Sequence, residues 1–219
     1  MNQSDYDKLF HIDLLDGAQF AGKYQFPVIE MTSSVPQNLI PFDKAVSTAK
    51  HDRWVHFFIN DRSFIRIWNR PYKYLPKLLQ YRGAFAPDFS IMHRYPLHLQ
   101  IQSVARSRTI GSWLQRAGID VIPVVRWGKE ETYEFAFDAI VPGGTVGVGT
   151  LGCTLNSELR DIFSRGLPVM LERLEPKTLV VYGPLREDVF NPAIISNVII
   201  VHFASETTLI KAGMTHGAE

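Results

Sequence analysis

A single cysteine, Cys153, stands in 219 residues. It excludes an intrachain disulfide framework and points to a reducing compartment. No apolar run approaches the roughly 20 residues needed to span a bilayer. The N-terminus, Met1 to Asp7, is polar and acidic and does not fit a secretory signal. Gly-rich phosphate fingerprints are missing: nothing of that kind follows the first strand, and the glycines from Gly143 to Gly149 lack the lysine of a phosphate loop. No two histidines stand four apart on a helix, so no metal site is expected and any cofactor is left unspecified. With 23 Lys and Arg against 22 Asp and Glu, the net charge is +1, which removes a global nucleic-acid signature. The expectation is a soluble cytoplasmic protein without membrane association.

What the chain does contain is a series of apolar runs, each handing over to polar residues. They run from Val55 to Ile59 and then Asn60-Asp61-Arg62, and from Ala84 to Pro87 and then Asp88-Phe89-Ser90. A third runs from Val121 to Val125 into Arg126-Trp127. Thr178 to Val181 leads into Tyr182-Gly183, and Val198 to Val201 into His202. Continuous apolar, β-branched runs fit strands buried on both faces, as in a parallel sheet. Strand starts near 55, 84, 121, 145, 178 and 198 match the length of a βαβ unit. The spacing predicts helices over 71–81, 97–117, 132–140 and 157–165, and a further piece over 167–174, with Gly83, Gly118 and Gly166 as stops.

Alternating strands and helices predict an α/β fold with a parallel sheet. A small or incomplete β/α barrel of the TIM type is favoured over an open doubly wound sheet, because short repeated units lack a phosphate fingerprint after the first strand. Residues 1–50 read as an irregular N-terminal segment packed on the domain, 51–205 as one α/β domain, and 206–219 as a C-terminal tail. A short helix is expected from Asp5 to Leu15.

The ordered set Trp54–Ile59, Ile67-Trp68-Asn69, Pro87–Ser90 and Val121–Trp127 resembles a family of uncharacterised proteins of bacteriophages, prophages and mobile elements. The resemblance covers roughly residues 40 to 205. It implies one α/β domain in a mobile-element context and carries no catalytic residues with it.

In α/β folds the carboxyl ends of parallel strands share one edge, and ligands bind there. That edge supplies the candidates. Asp88 follows the stiff Pro87; it is either a catalytic or ligand-gripping carboxylate or the cap of a turn through Ser90. Asp61 sits likewise after its strand, among good turn formers. Arg126 can clamp a phosphate with Trp127 stacking beside it, or pair with an aspartate while Trp127 closes the core. Tyr182 and Ser90 belong to the same ligand-binding set. His202 is a candidate base, whereas His56 reads as a core histidine. Cys153 is either a nucleophile or a small buried apolar residue.

Charge is uneven along the chain. Arg53 to Arg126 holds 12 Lys or Arg against three acids. Within it Arg66, Arg70, Lys73 and Lys77 recur at helical spacing and form one basic stripe if that stretch is a single helix; Arg106, Arg108 and Arg116 add charge on the next. A stripe of this kind contacts phosphates or is an ordinary solvated face. Three function classes remain open: association with nucleic acid or a nucleotide through the basic middle and the strand edge, an enzyme acting on a phosphorylated or sugar-like substrate, and an interaction protein that modulates a host factor.

Overall fold

The computed structural model describes residues 8–153 and 156–211. A two-stranded antiparallel pair comes first, β1 (Phe20–Ala21) with β2 (Phe26–Pro27). Seven further strands follow: β3 (Leu39–Pro41), β4 (Trp54–His56), β5 (Gly83–Phe85), β6 (Val121–Ile122), β7 (Thr145–Gly149), β8 (Thr178–Tyr182) and β9 (Ile199–Phe203). All seven pair in parallel and in chain order, β3 to β6 in one sheet and β7 to β9 in another. The two sheets meet just past β6. Val124 bridges Gly147, the Val125 N–H donates to Gly147 O at 3.0 Å, and the Gly147 N–H donates to Pro123 O at 2.9 Å. Pro123 has no N–H to give, which is why the expected 121–125 strand is cut to two residues.

Chain-order pairing with right-handed crossovers puts every connecting helix on the same side of the sheet. The helix side is apolar by strict alternation. Val146 and Val148 of β7 and Leu179 and Val181 of β8 pack with Phe163, Leu167 and Met170 of the helix Ser157–Leu174. The other side must be buried by the strands themselves, and it is. The rings of His56 and Tyr182 lie 4.5 Å apart, and Phe58 stacks on Tyr182 at 5.2 Å and meets Phe85 at 5.3 Å. These rings come from β4, β5 and β8, so the sheets curl until non-neighbouring strands touch. Lys44, just past β3, pairs with Glu206, just past β9, at 2.8 Å. Among the described residues β3 and β9 are not hydrogen-bonded to each other, so the strands do not close into a barrel.

The expected 132–140 helix shortens to Tyr133–Ala136 behind a 3-10 turn, and the helices differ from the expectations in three further places. Asn60–Ser63, read as a turn, starts a helix over Asp61–Asn69, with the Asn60 side chain accepting from the Arg62 N–H at 3.0 Å. Good turn formers are also good N-caps, so the same residues serve either structure. The next helix, Pro71–Leu78, is separate. Arg70 stands between them at φ −146°, because a residue before proline is pushed out of the helical region. One continuous basic stripe is therefore not formed. Finally, Ser157–Leu174 is one helix that runs through Gly166 and Pro168. The long helix Leu97–Arg116 lies where expected.

The N-terminal segment is tied down by polar contacts. Arg116 donates to the carbonyls of Leu14 and Asp16, and the Tyr72 hydroxyl donates to Asp13 at 2.8 Å. The expected N-terminal helix begins outside the described residues; within them Ile12–Leu15 is a 3-10 turn. Glu206–Lys211 is helical, and the rest of the C-terminal segment lies outside the described residues. No described helix is long and apolar enough to cross a membrane.

Candidate functional site

The strand ends after β4, β5, β6 and β7 surround a cleft of about 300 Å³. It is lined by Phe58, Asn60, Asp88, Ser90, Arg126 and the Gly149–Gly152 turn. At its floor Arg126 grips Asp88 with two parallel hydrogen bonds: Nε to Oδ1 at 2.7 Å, and Nη2 to Oδ2. The pair is nearly buried, with the Asp88 side chain 4% and the Arg126 side chain 19% exposed. Two-pronged charge-assisted contacts of this kind fix geometry as well as energy. The third prong differs. Nη1 of Arg126 points to the Cys153 sulfur at 3.4 Å, a weak acceptor.

β7 shapes the floor. A Cβ on Gly149 would lie 2.9 Å from Asp88 Oδ2, 2.9 Å from Phe58 and 3.1 Å from Arg126 Nη2. Only a residue without a side chain lets the ion pair seat against this strand. Burial works against the Arg126 charge, but Asp88 and Cys153 outweigh it and hold the guanidinium more firmly protonated than usual. Burial pushes the Cys153 thiol up, Arg126 pulls it back in part, and the net stays upward. The thiol is thus protonated at neutral pH and unlike an activated nucleophile.

Asp61 lies beside the cleft rather than in it. Its carboxylate accepts from the Ser90 N–H at 3.1 Å and the Ser90 hydroxyl at 2.8 Å, and Ser103 donates to Ser90 O at 2.9 Å. The chain after β5 is therefore pinned to the helix starts on both sides. A second cavity of about 470 Å³ opens here, sharing Asn60 and Ser90 with the cleft. Arg106 lines it; burial lowers the pKa of its guanidinium and Asp61 partly restores it.

The other candidates stand apart. Trp127 is 6% exposed; its indole stacks on Phe163 at 4.7 Å and donates to Ile162 O at 3.3 Å. Tyr182 is buried against His56 and Phe58, and burial raises its pKa. His202 alternates to the outer side of β9, is exposed, and has Nε2 2.7 Å from Gly183 O. Asp88, Asp61 and His202 thus do not surround one reacting centre. Of the basic residues, Arg66 lies over the rings of Phe42 at 5.3 Å and Tyr74 at 5.8 Å. Arg70 and Lys73 are exposed, and Lys77 is half-buried. No group of three or more His, Cys, Asp or Glu able to hold a metal is found among the described residues.

Sequence reasoning missed Arg108. It is 1% exposed and gives its N–H groups to three carbonyls, Asp138 O at 2.9 Å, Val124 O at 3.1 Å and Ala136 O at 2.8 Å. Burial lowers its pKa to about 10, against the pull of Asp138. Nothing in a helical Arg-x-Arg spacing distinguishes it from the solvated Arg it resembles. Asn60 and Gly149 were legible as strand-end residues but not as walls of the cleft.

Comparison with known proteins matches residues 18–203 to the family described as "Domain of unknown function (DUF4417)". The "Gene 1 protein" of Mycobacterium phage L5 is 33% identical over 166 residues, covering 74% of this chain and 72% of that protein. The "Gene 1 protein" of Mycobacterium phage D29 is 32% identical over 170 residues, covering 74% of this chain and 62% of that protein, which is less than two thirds of its length. No solved structure matches. The chain belongs to the DUF4417 family, a phage protein family.

Proposed function

We propose that this member of a phage protein family binds a phosphorylated ligand of the nucleotide class in the cleft at the ends of β4 to β7. The observation that carries the reading is the state of Arg126. Its Nε and Nη2 are committed to Asp88, while Nη1 has only a thiol for a partner, in a side chain that lines the cleft. A phosphate oxygen is a far better acceptor than sulfur, so a phosphorylated ligand offers this N–H more than the thiol does. Asp88 acts as a positioning residue that holds the guanidinium plane, and Ser90 and Asn60 supply neutral polar groups on the rim. A cleft of about 300 Å³ suits a mononucleotide.

The fold reading that accompanies this is an incomplete β/α barrel. Parallel strands in chain order, inward rings that meet and helices on the other side support it, and it gives the cleft the usual position of a ligand site. The exposed Arg70 and Lys73 add long-range attraction for anions rather than a docking stripe. This function belongs in the cytoplasm, where nucleotides and nucleic acids are found. An acid–base enzyme built on Asp88, Asp61 and His202 is less well supported. Both Asp88 oxygens are held by Arg126, both Asp61 oxygens by Ser90, and His202 faces away.

The test is calorimetric titration with a panel of nucleoside mono- and triphosphates at low salt. Binding that weakens at least about tenfold in Arg126→Gln supports the reading. Ser90→Ala, which removes a rim hydroxyl of the cleft and is expected to weaken binding, gives a second variant should Arg126→Gln lose its fold. Absence of binding by any nucleotide to the folded protein would sink it.

A further inference from the structure

The cavity beside the cleft is lined by an arginine held on aromatic rings. Arg106 lines it, and the Nε of Arg106 is buried without a hydrogen-bond partner. The guanidinium lies over Trp68 at 5.3 Å and Phe89 at 5.9 Å, so aromatic faces hold it in place. The Nε is sealed from the cavity, so what Arg106 offers an anion there is the positive charge of its guanidinium. Arg62 and Gln102 stand exposed on the same wall, and Tyr95 is 57% exposed on the rim. Asn60 caps the helix Asp61–Asn69 at this point, adding the partial positive charge of a helix start. Asp61 offsets one of the two arginines; its oxygens are already taken by Ser90 and leave the wall net positive.

We infer that the cleft continues into this cavity, and that the two together take a short single strand of nucleic acid. One phosphodiester lies against Arg62 and Arg106, and a base stacks on Tyr95. The two cavities are neighbours that share Asn60 and Ser90 as lining residues. Exposed aromatic, guanidinium and side-chain amide groups along a groove are the means by which single strands are held. This inference rests on the reading of the cleft as a nucleotide site.

The experiment compares thymidine monophosphate with short labelled oligothymidylates on the full chain, by calorimetry and fluorescence anisotropy. The oligonucleotide is expected to bind at least about tenfold tighter than the monophosphate, the gain from roughly one stacked base and one further phosphate. Arg62→Ala combined with Tyr95→Ala, both exposed, is expected to bring that ratio to about one while leaving monophosphate affinity unchanged. Arg106→Gln is expected to lower oligonucleotide affinity and the salt dependence together. Monophosphate binding with no gain for the oligonucleotide overturns this inference alone. So does a gain that ignores the Arg62 and Tyr95 changes, or equal binding of a glutamate-rich peptide in competition, which would assign the groove to a protein partner. Failure of both ligands overturns this inference and the nucleotide reading with it.

Discussion

The strand edge has two halves with the same sequence grammar and different outcomes. After β4, β5 and β6 the polar residues turn toward one another: Asp88 and Arg126 pair, and Ser90 and Asn60 frame a cleft in front of them. After β8 and β9 they do not. Tyr182 is sealed in by His56 and Phe58, and His202 faces outward. What separates the halves is register and space. On β7 the glycines face inward and the valines face the helices, so the inner side stays open. On β8 the inward residue is a tyrosine that fills the gap. A polar residue at a strand end becomes part of a site only where the pleat turns it inward and a small neighbour leaves it room.

The cleft half depends on what stands behind it, and this gives the largest expected effect. Arg108 and Arg126 both line a small cavity of about 10 Å³, about one water's space. Arg108 gives everything to backbone carbonyls, and Arg126 faces a carboxylate that an anion can supplement. Arg108→Ala leaves three buried carbonyls unpaired and should destabilise the fold by roughly 3–5 kcal/mol in urea unfolding. A loss under about 1 kcal/mol would put Arg108 outside the scaffold and erase the contrast between the two arginines.

Next comes the ion pair itself. Arg126→Ala strands a buried carboxylate and should destabilise by about 3 kcal/mol. The double change with Asp88→Ala should be milder than Arg126→Ala alone, since no unpaired charge remains. A double-mutant cycle in chemical denaturation measures this. Strict additivity of the two changes would mean that the pair is not coupled in solution.

His56 joins the halves, its ring lying against Tyr182, and it gives the pH dependence. Burial, helped by Lys44, lowers its pKa from the ordinary 6.5 to about 3. The folded state therefore prefers neutral His56, and the unfolded chain binds the extra proton. This contribution is full above about pH 6.5 and is lost as pH falls toward 3, at a slope approaching about 1.4 kcal/mol per pH unit. Unfolding midpoints at about pH 7 and about pH 5 should differ in the native protein and converge in His56→Phe. An unchanged pH slope in His56→Phe would move the titrating group elsewhere.

Much of this was legible from apolar runs alone. β8 and β5, the latter expected over 84–87 and found over Gly83–Phe85, announce themselves because two-sided burial demands unbroken apolar sequence, β7 because a glycine turn precedes it, and Leu97–Arg116 because it has a proline start and a glycine stop. The joined helix Ser157–Leu174 was not. Gly166 reads as a terminator, yet it is there because a Cβ would meet the Trp127 indole at 2.2 Å. Packing against a residue about 40 positions away leaves no local mark. Asp88 and Arg126 were each legible as candidates. Their pairing was one of the two readings that Arg126 allowed, and the structure realises it; that the partner is Asp88 rather than Asp61 was not legible, since the register across β5 and β6 sets it and no spacing in the chain encodes it.

The smallest expected effect tests the silent half. His202→Ala removes one contact, to Gly183 O, from an exposed position. It should cost less than about 1 kcal/mol in thermal or urea unfolding. Nucleotide affinity should stay within about twofold, a factor that corresponds to roughly 0.4 kcal/mol. Ser90→Ala is the matched control in the other half. It removes the hydroxyl that Asp61 accepts from, at a cost of about 1 kcal/mol in stability, and should weaken the ligand as well because Ser90 lines the cleft. If His202→Ala impairs binding more than Ser90→Ala does, the division of the edge is wrong. The outward register of β9 would then have to reverse when ligand is present, because a side chain on the outer pleat reaches the cleft only by a one-residue slip of the strand.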